Sequence, residues 1–178
     1  DQGPVAVVTT DGTIDIGSAS GIAGGIRFNA GGDNDNVGAD STLTITTSNA
    51  AVRLNGPVTL DSDLTITTGT GAGDIVFTVE SRINSQGAEH NDLLLLAGQG
   101  KVEFNANVGQ TGSLNTLLVT RADGGVVFGG GDVVSGDQGP VAVVTTDGAI
   151  DIGSSDVIAG GIVFNAGDGN TLAVTTSG

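Results

Sequence analysis

DQGPVAVVTTDGTIDIGSASGIAGGIRFNAG, residues 1–31, returns as DQGPVAVVTTDGAIDIGSSDVIAGGIVFNAG at residues 137–167. The two segments agree at 26 of 31 positions at an offset of 136. A repeat on this scale governs the fold and has to be recognised before any element is assigned. Beyond the shared block, TLTITTS at 42–48 is answered by TLAVTTS at 171–177, so the second copy continues after losing seven loop residues. The 178 residues therefore read as one unit, 1–136, followed by the start of a near-identical one, 137–178. The chain has no Met, and Asp1-Gln2-Gly3-Pro4 lacks a basic or apolar signal-type start, so an internal or processed piece of a longer array is expected.

A finer period lies inside the long one. Apolar pairs open segments at Val5/Val7, Leu43/Ile45, Leu64/Ile66, Leu93/Leu95, Leu117/Val119, Val141/Val143 and Leu172/Val174. Second pairs follow at Ile14/Ile16, Val52/Leu54, Ile75/Phe77, Val102/Phe104, Val126/Phe128 and Ile150/Ile152. Each is a short alternating stretch such as Val52-Arg53-Leu54, with apolar residues on one face and a polar one on the other, the period of a β-strand. Gly, Asn and Asp separate the strands and supply the positive φ that sharp corners need. No sustained 3.6-residue period with helix caps occurs. The spacing between 93, 117 and 141 is 24 residues twice running, and polar insertions lengthen other intervals.

Short strands recurring at such intervals predict an all-β fold, a β-solenoid of about 24 residues per coil, with about five coils to each 136-residue unit. One coil cannot bury its apolar face alone, whereas stacked coils align equivalent residues into internal ladders. The expected core ladder is Val5, Leu43, Leu64, Leu93, Leu117 and Val141, with Phe104 and Phe128 stacked one coil apart and Ile152 above them. Asn29, Asn105 and Asn165 follow Phe at like positions and are expected at a common corner.

Composition narrows the function classes. Lys and Arg number 5 against 20 Asp and Glu, a formal net charge of -15. Phosphate backbones are bound by placing cations on them, so nucleic acid is not an expected partner. No apolar run approaches the ~18 residues of a membrane-spanning helix. Hydrophobic residues make up 38%, which argues against a disordered acidic chain, and the absence of Cys excludes disulfides and thiolate metal sites.

The stretch GKVEFNANVGQTGSLNTLLVTRADGGVVFGGGDVV at 100–134 resembles the repeats of very large bacterial surface proteins of the filamentous-haemagglutinin-like adhesin type. Val102, Phe104, Val108, Gly109, Leu114 and Leu117 carry the likeness. The resemblance implies a right-handed parallel β-helix, secreted or on the cell surface, and brings no catalytic residues with it.

The chain offers little for catalysis. Its only His, His90, lies in a polar insertion and is expected to be a solvated loop residue; there is no Cys and no G-x-S-x-G. Asp61 and Asp63, with Asp11, Asp15, Asp147 and Asp151, could serve a polysaccharide-active β-helix enzyme. Such an enzyme would also need aromatic platforms, and Trp and Tyr are absent. In the loop at 31–40, Asp33, Asp35, Asn36 and Asp40 concentrate hard oxygen ligands suited to Ca²⁺. Read as an EF-hand loop it fails at its twelfth place, where Thr44 stands instead of Glu, and the second copy shortens the region. The expectation is a non-enzymatic segment of an extracellular fibre or adhesin, self-associating or meeting surface glycans, with no cofactor unless Ca²⁺. The polysaccharide enzyme and a Ca²⁺-dependent assembly module are the alternatives.

Overall fold

The computed structural model describes residues 7–17, 24–29, 42–87, 89–129, 143–146, 149–153, 158–164 and 173–176. All regular structure among them is β. The strands are β1 (Val7–Thr10), β2 (Ile14–Ile16), β3 (Ile26–Phe28), β4 (Thr42–Thr47), β5 (Val52–Leu54), β6 (Val58–Leu60), β7 (Asp63–Thr67), β8 (Ile75–Phe77) and β9 (Ile83–Ser85). They continue as β10 (Leu93–Gly98), β11 (Val102–Phe104), β12 (Leu117–Ala122), β13 (Val126–Phe128), β14 (Val143–Thr146), β15 (Ile150–Ile152), β16 (Ile162–Phe164) and β17 (Ala173–Thr176).

Every pairing is parallel, and the strands stack in three faces, as in a parallel β-helix. The first face runs β1-β4-β7-β10-β12-β15, and the second runs β2-β5-β8-β11-β13-β16. The third contains β3-β6-β9 and then, through single bridges from Ile83 to Val108 and from Val108 to Val144, the pair β14-β17. Consecutive strands thus fall on successive faces, with the bridge residue Val108 holding the third-face place between β11 and β12, and each coil hydrogen-bonds to the next.

Alternation decides which way each side chain points. In β5, β6, β8, β11 and β13 the two outer residues of each triplet are buried and the middle one faces out. Register then lines the inward residues up. Leu43, Leu64, Leu93 and Leu117 are level, as are Ile45, Ile66, Leu95 and Val119. Val52, Ile75, Val102 and Val126 form a column on the second face, and Val58, Ile83, Val108 and Val144 one on the third. Full burial of each such aliphatic side chain stabilises by roughly 1.5–3 kcal/mol relative to exposure. Phe77, Phe104, Phe128 and Phe164 stack in a row, with ring centroids 5.4, 4.8 and 5.0 Å apart and rings within 12° of parallel. Those separations follow the ~4.8 Å spacing of neighbouring strands.

Several expectations need correction. Ile152 does not lie above Phe128; it is level with Val119 on the first face, and Phe164 takes the place over Phe128. The residue level with Leu117 is Ile150, so the interval from 117 to 141 is not a coil; Val141 itself, like Val5, lies outside the described residues. Register on β1 is also one residue off, with Val8 rather than Val7 level with Ile45. The cause is common to the first two: a coil has three faces, not two, and any alternating apolar stretch fits any of them.

Asn29 and Asn105 do not share a corner either. Asn105 follows the second face, is buried, and its backbone N–H donates to the Phe77 carbonyl at 3.0 Å. Asn29 follows the third face, is exposed, and its amide donates to Asp61 at 3.3 Å. Asn165 lies outside the described residues.

Candidate functional surfaces

The inward ladders of the described residues are apolar, so anything chemical lies at the corners or on the outer faces. Corners are closed by short polar side chains that satisfy backbone groups leaving the strand ladders. Between the second and third faces the buried Thr78 hydroxyl donates to Asn55 Oδ1 at 2.7 Å, and the Ser81 hydroxyl donates to the Leu54 carbonyl at 2.6 Å. Between the third and first, the Asn91 amide donates to the Leu60 carbonyl at 2.9 Å. A glycine column, Gly73, Gly100, Gly124 and Gly160, joins the first face to the second. A Cβ at Gly124 would come within 2.9 Å of the Gly100 carbonyl group, and one at Gly160 would overlap Gly124 in turn. Absence of a side chain is what lets successive coils approach there.

The titratable residues singled out in the sequence are spread around the column. The Asp61 side chain is fully buried beneath Arg27, which pairs with it and also donates to Gln86, while Asp61 Oδ1 has no hydrogen-bond partner. Asp63 accepts the Asp92 backbone N–H at 2.8 Å. Asp11 and Asp15 are exposed, and Asp15 is level with Arg53 on the second face. Asp151 is exposed beside Leu118 on the first face, and Asp147 lies outside the described residues. Asp61 and Asp63 are thus occupied in closing corners, while Asp11, Asp15 and Asp151 stand exposed on strands or turns of the first and second faces.

His90 is half-buried rather than solvated, at φ 52°, with Nδ1 3.3 Å from the Ser113 carbonyl oxygen. The Ca²⁺ candidates Asp33, Asp35, Asn36 and Asp40 lie outside the described residues; among the described residues no three His, Cys, Asp or Glu side chains converge on a metal-sized site. No helix among the described residues is long and apolar enough to cross a membrane.

Two charge pairs sit on the outer faces within single strands or turns. Lys101 pairs with Glu103, and that hydrogen bond, aided by Asp74 and opposed by partial burial, holds the ammonium above its ordinary pKa. Arg121 pairs with Asp123 at 2.7 Å and holds that carboxyl below the usual carboxylate value.

The outer side of the first face is the most distinctive surface. β4 and β7 present Thr44, Thr46, Thr65 and Thr67 at outward positions, level in pairs. One coil on, β10 is apolar on both sides, and Leu94 and Leu96 stand outward where threonines stood. Leu118 of β12 continues the strip next to Leu94. A shallow groove bounded by Asp63, Thr65, Asp92, Leu94, Thr116 and Leu118 runs along it. Sequence reasoning passed over this strip because it counted inward residues only; the unbroken run Leu93-Leu94-Leu95-Leu96 was the available signal. No family model matches the chain, and no curated protein or solved structure is significantly similar to it.

Proposed function

We propose that the chain is a structural segment of an extracellular fibre or adhesin, a stiff β-solenoid shaft that mediates surface attachment or filament formation and carries out no catalysis. The observation that supports this most directly is continuity: strands of the second copy pair in register onto those of the first, with no separate core between them. Such a fold extends by adding coils, each contacting only its neighbours, and its length is proportional to copy number. The mechanism is mechanical. Backbone hydrogen bonds run along the axis and inward ladders resist bending, while the outer faces remain available for lateral contacts. The strip of Leu94, Leu96 and Leu118 is the part of the outer surface suited to contact with another shaft, and surface glycans are the other partner class. A net charge of -15 keeps shafts apart in solution.

Electron microscopy of tandem chains carrying one, two and three copies of residues 1–136 tests this. Rods should lengthen by roughly 20–25 Å per copy at ~4.8 Å per coil, with constant width. Compact particles whose shape does not elongate with copy number would rule the shaft out.

A further inference from the structure

Equivalent residues of the two copies lie on different faces of the column. β14, β15, β16 and β17 are the counterparts of β1, β2, β3 and β4 at the sequence level. In the first copy those four occupy the first, second, third and first faces; in the second they occupy the third, first, second and third. Local pairing is nevertheless kept. Val143 is level with Ala173 and Thr146 with Thr176, the same register as Val7 with Thr44 and Thr10 with Thr47. The Phe row shows the same displacement: Phe28 sits on the third face level with Leu60, whereas its counterpart Phe164 stacks on Phe128 on the second.

Counting faces explains it. From β1 the chain visits every face in order through β13, with Val108 standing for the third face of the fourth coil, and β14 then arrives fourteen steps after β1 rather than fifteen. We infer that each 136-residue copy advances the column by one face less than five full coils, so that successive copies present the same outer surface turned by a third of a turn. Three copies then bring a given face back into line, after fourteen coils or ~67 Å at ~4.8 Å per coil. Taken with the shaft reading, on which this consequence rests, a contact strip such as Leu94, Leu96 and Leu118 recurs on all three sides of the fibre. Partners are met all round it rather than along one edge.

Cysteine cross-linking of the full chain, which has no native Cys, distinguishes the two phases. Outward residues on adjacent parallel strands stand at about the strand spacing, within the Cα separation of ~4.4–6.8 Å that a disulfide spans. Val127 is level with Val163 and Leu118 with Asp151. Val127→Cys/Val163→Cys and Leu118→Cys/Asp151→Cys should therefore oxidise almost completely to the intramolecular disulfide, read by peptide mapping under non-reducing conditions. Val127→Cys/Asp151→Cys should remain reduced. If the copies were in phase, Asp151 would stand over Val127, and the third variant would cross-link in place of the first two. That pattern, or failure of both expected pairs, overturns the inference. The fibre proposal is judged separately by rod length against copy number.

Discussion

Replacement of Phe104 by Ala tests the internal stack. Phe104 is 0% exposed, held between Phe77 at 5.4 Å and Phe128 at 4.8 Å, in the middle of the described column. Truncation removes the transfer contribution of the ring and leaves a cavity that neighbouring coils, tied by backbone hydrogen bonds, cannot close, a combination costing about 3–5 kcal/mol. Two ring stacks are lost as well, each contributing ~0.5–1.5 kcal/mol beyond area burial, which places the expected cost near the top of that range. Phe164 is the internal comparison. It is 53% exposed and, among the described residues, stacks on one side only, so its removal opens onto solvent. Half of a Phe transfer contribution plus one stack gives about 1.3–3 kcal/mol for Phe164→Ala. Urea titration of both variants, followed by far-ultraviolet circular dichroism, supplies the difference. In a column whose coils contact only their neighbours, the Phe104 defect should also lower amide protection in β8, β11 and β13 first, visible by hydrogen exchange. Equal costs for the two variants, or a Phe104→Ala cost below about 2 kcal/mol, would refute a rigid continuous stack.

Further outcomes follow from the corners and charge pairs. Gly124→Ala should destabilise by about 1–3 kcal/mol, because its Cβ would meet the Gly100 carbonyl group at 2.9 Å and backbone cannot yield cheaply. Gly24→Ala, with nothing within 4 Å, should stay within ~0.5 kcal/mol when both variants are compared by urea titration. Arg27→Ala strips the counter-ion from the buried Asp61 side chain and should cost up to ~3 kcal/mol, with Arg27→Ala/Asp61→Leu recovering part of it in a double-mutant cycle. Asp123 has a lowered folded pKa, so its contribution is present above the unfolded carboxylate value near 4 and is lost as pH falls through the folded value. Asp123→Asn should flatten the acid limb of a melting-temperature profile slightly, since the pair is solvent-screened. Lys101 has a raised folded pKa, so its contribution is full below the unfolded value and disappears only as alkaline pH passes the folded one.

Much of the architecture is written in the chain itself. Val52-Arg53-Leu54 and Val102-Glu103-Phe104 specify strands and the direction of each side chain, because alternation in a half-buried strand has one solution. The 136-residue self-similarity specifies a repeating array, and the lack of Trp and Tyr suits a narrow interior. The third face was less legible. Ile26-Arg27-Phe28, Val58-Thr59-Leu60 and Ile83 are triplets or single apolar residues between polar loops, too short for periodicity to separate from corners.

Tertiary structure alone decided which strand lies on which face. A short strand such as Val-Val-Thr-Thr pairs on more than one face of the column, so its local sequence does not fix its place around the axis. That place is fixed by the number of faces already traversed, a sum over every preceding corner. Hence Val7–Thr10 and Val143–Thr146 have the same sequence and the same partner register yet lie on different sides of the column. The same distinction applies to Asp61 and Arg27, thirty-four residues apart in sequence, which meet only because coil stacking lays the corner after β6 beside β3.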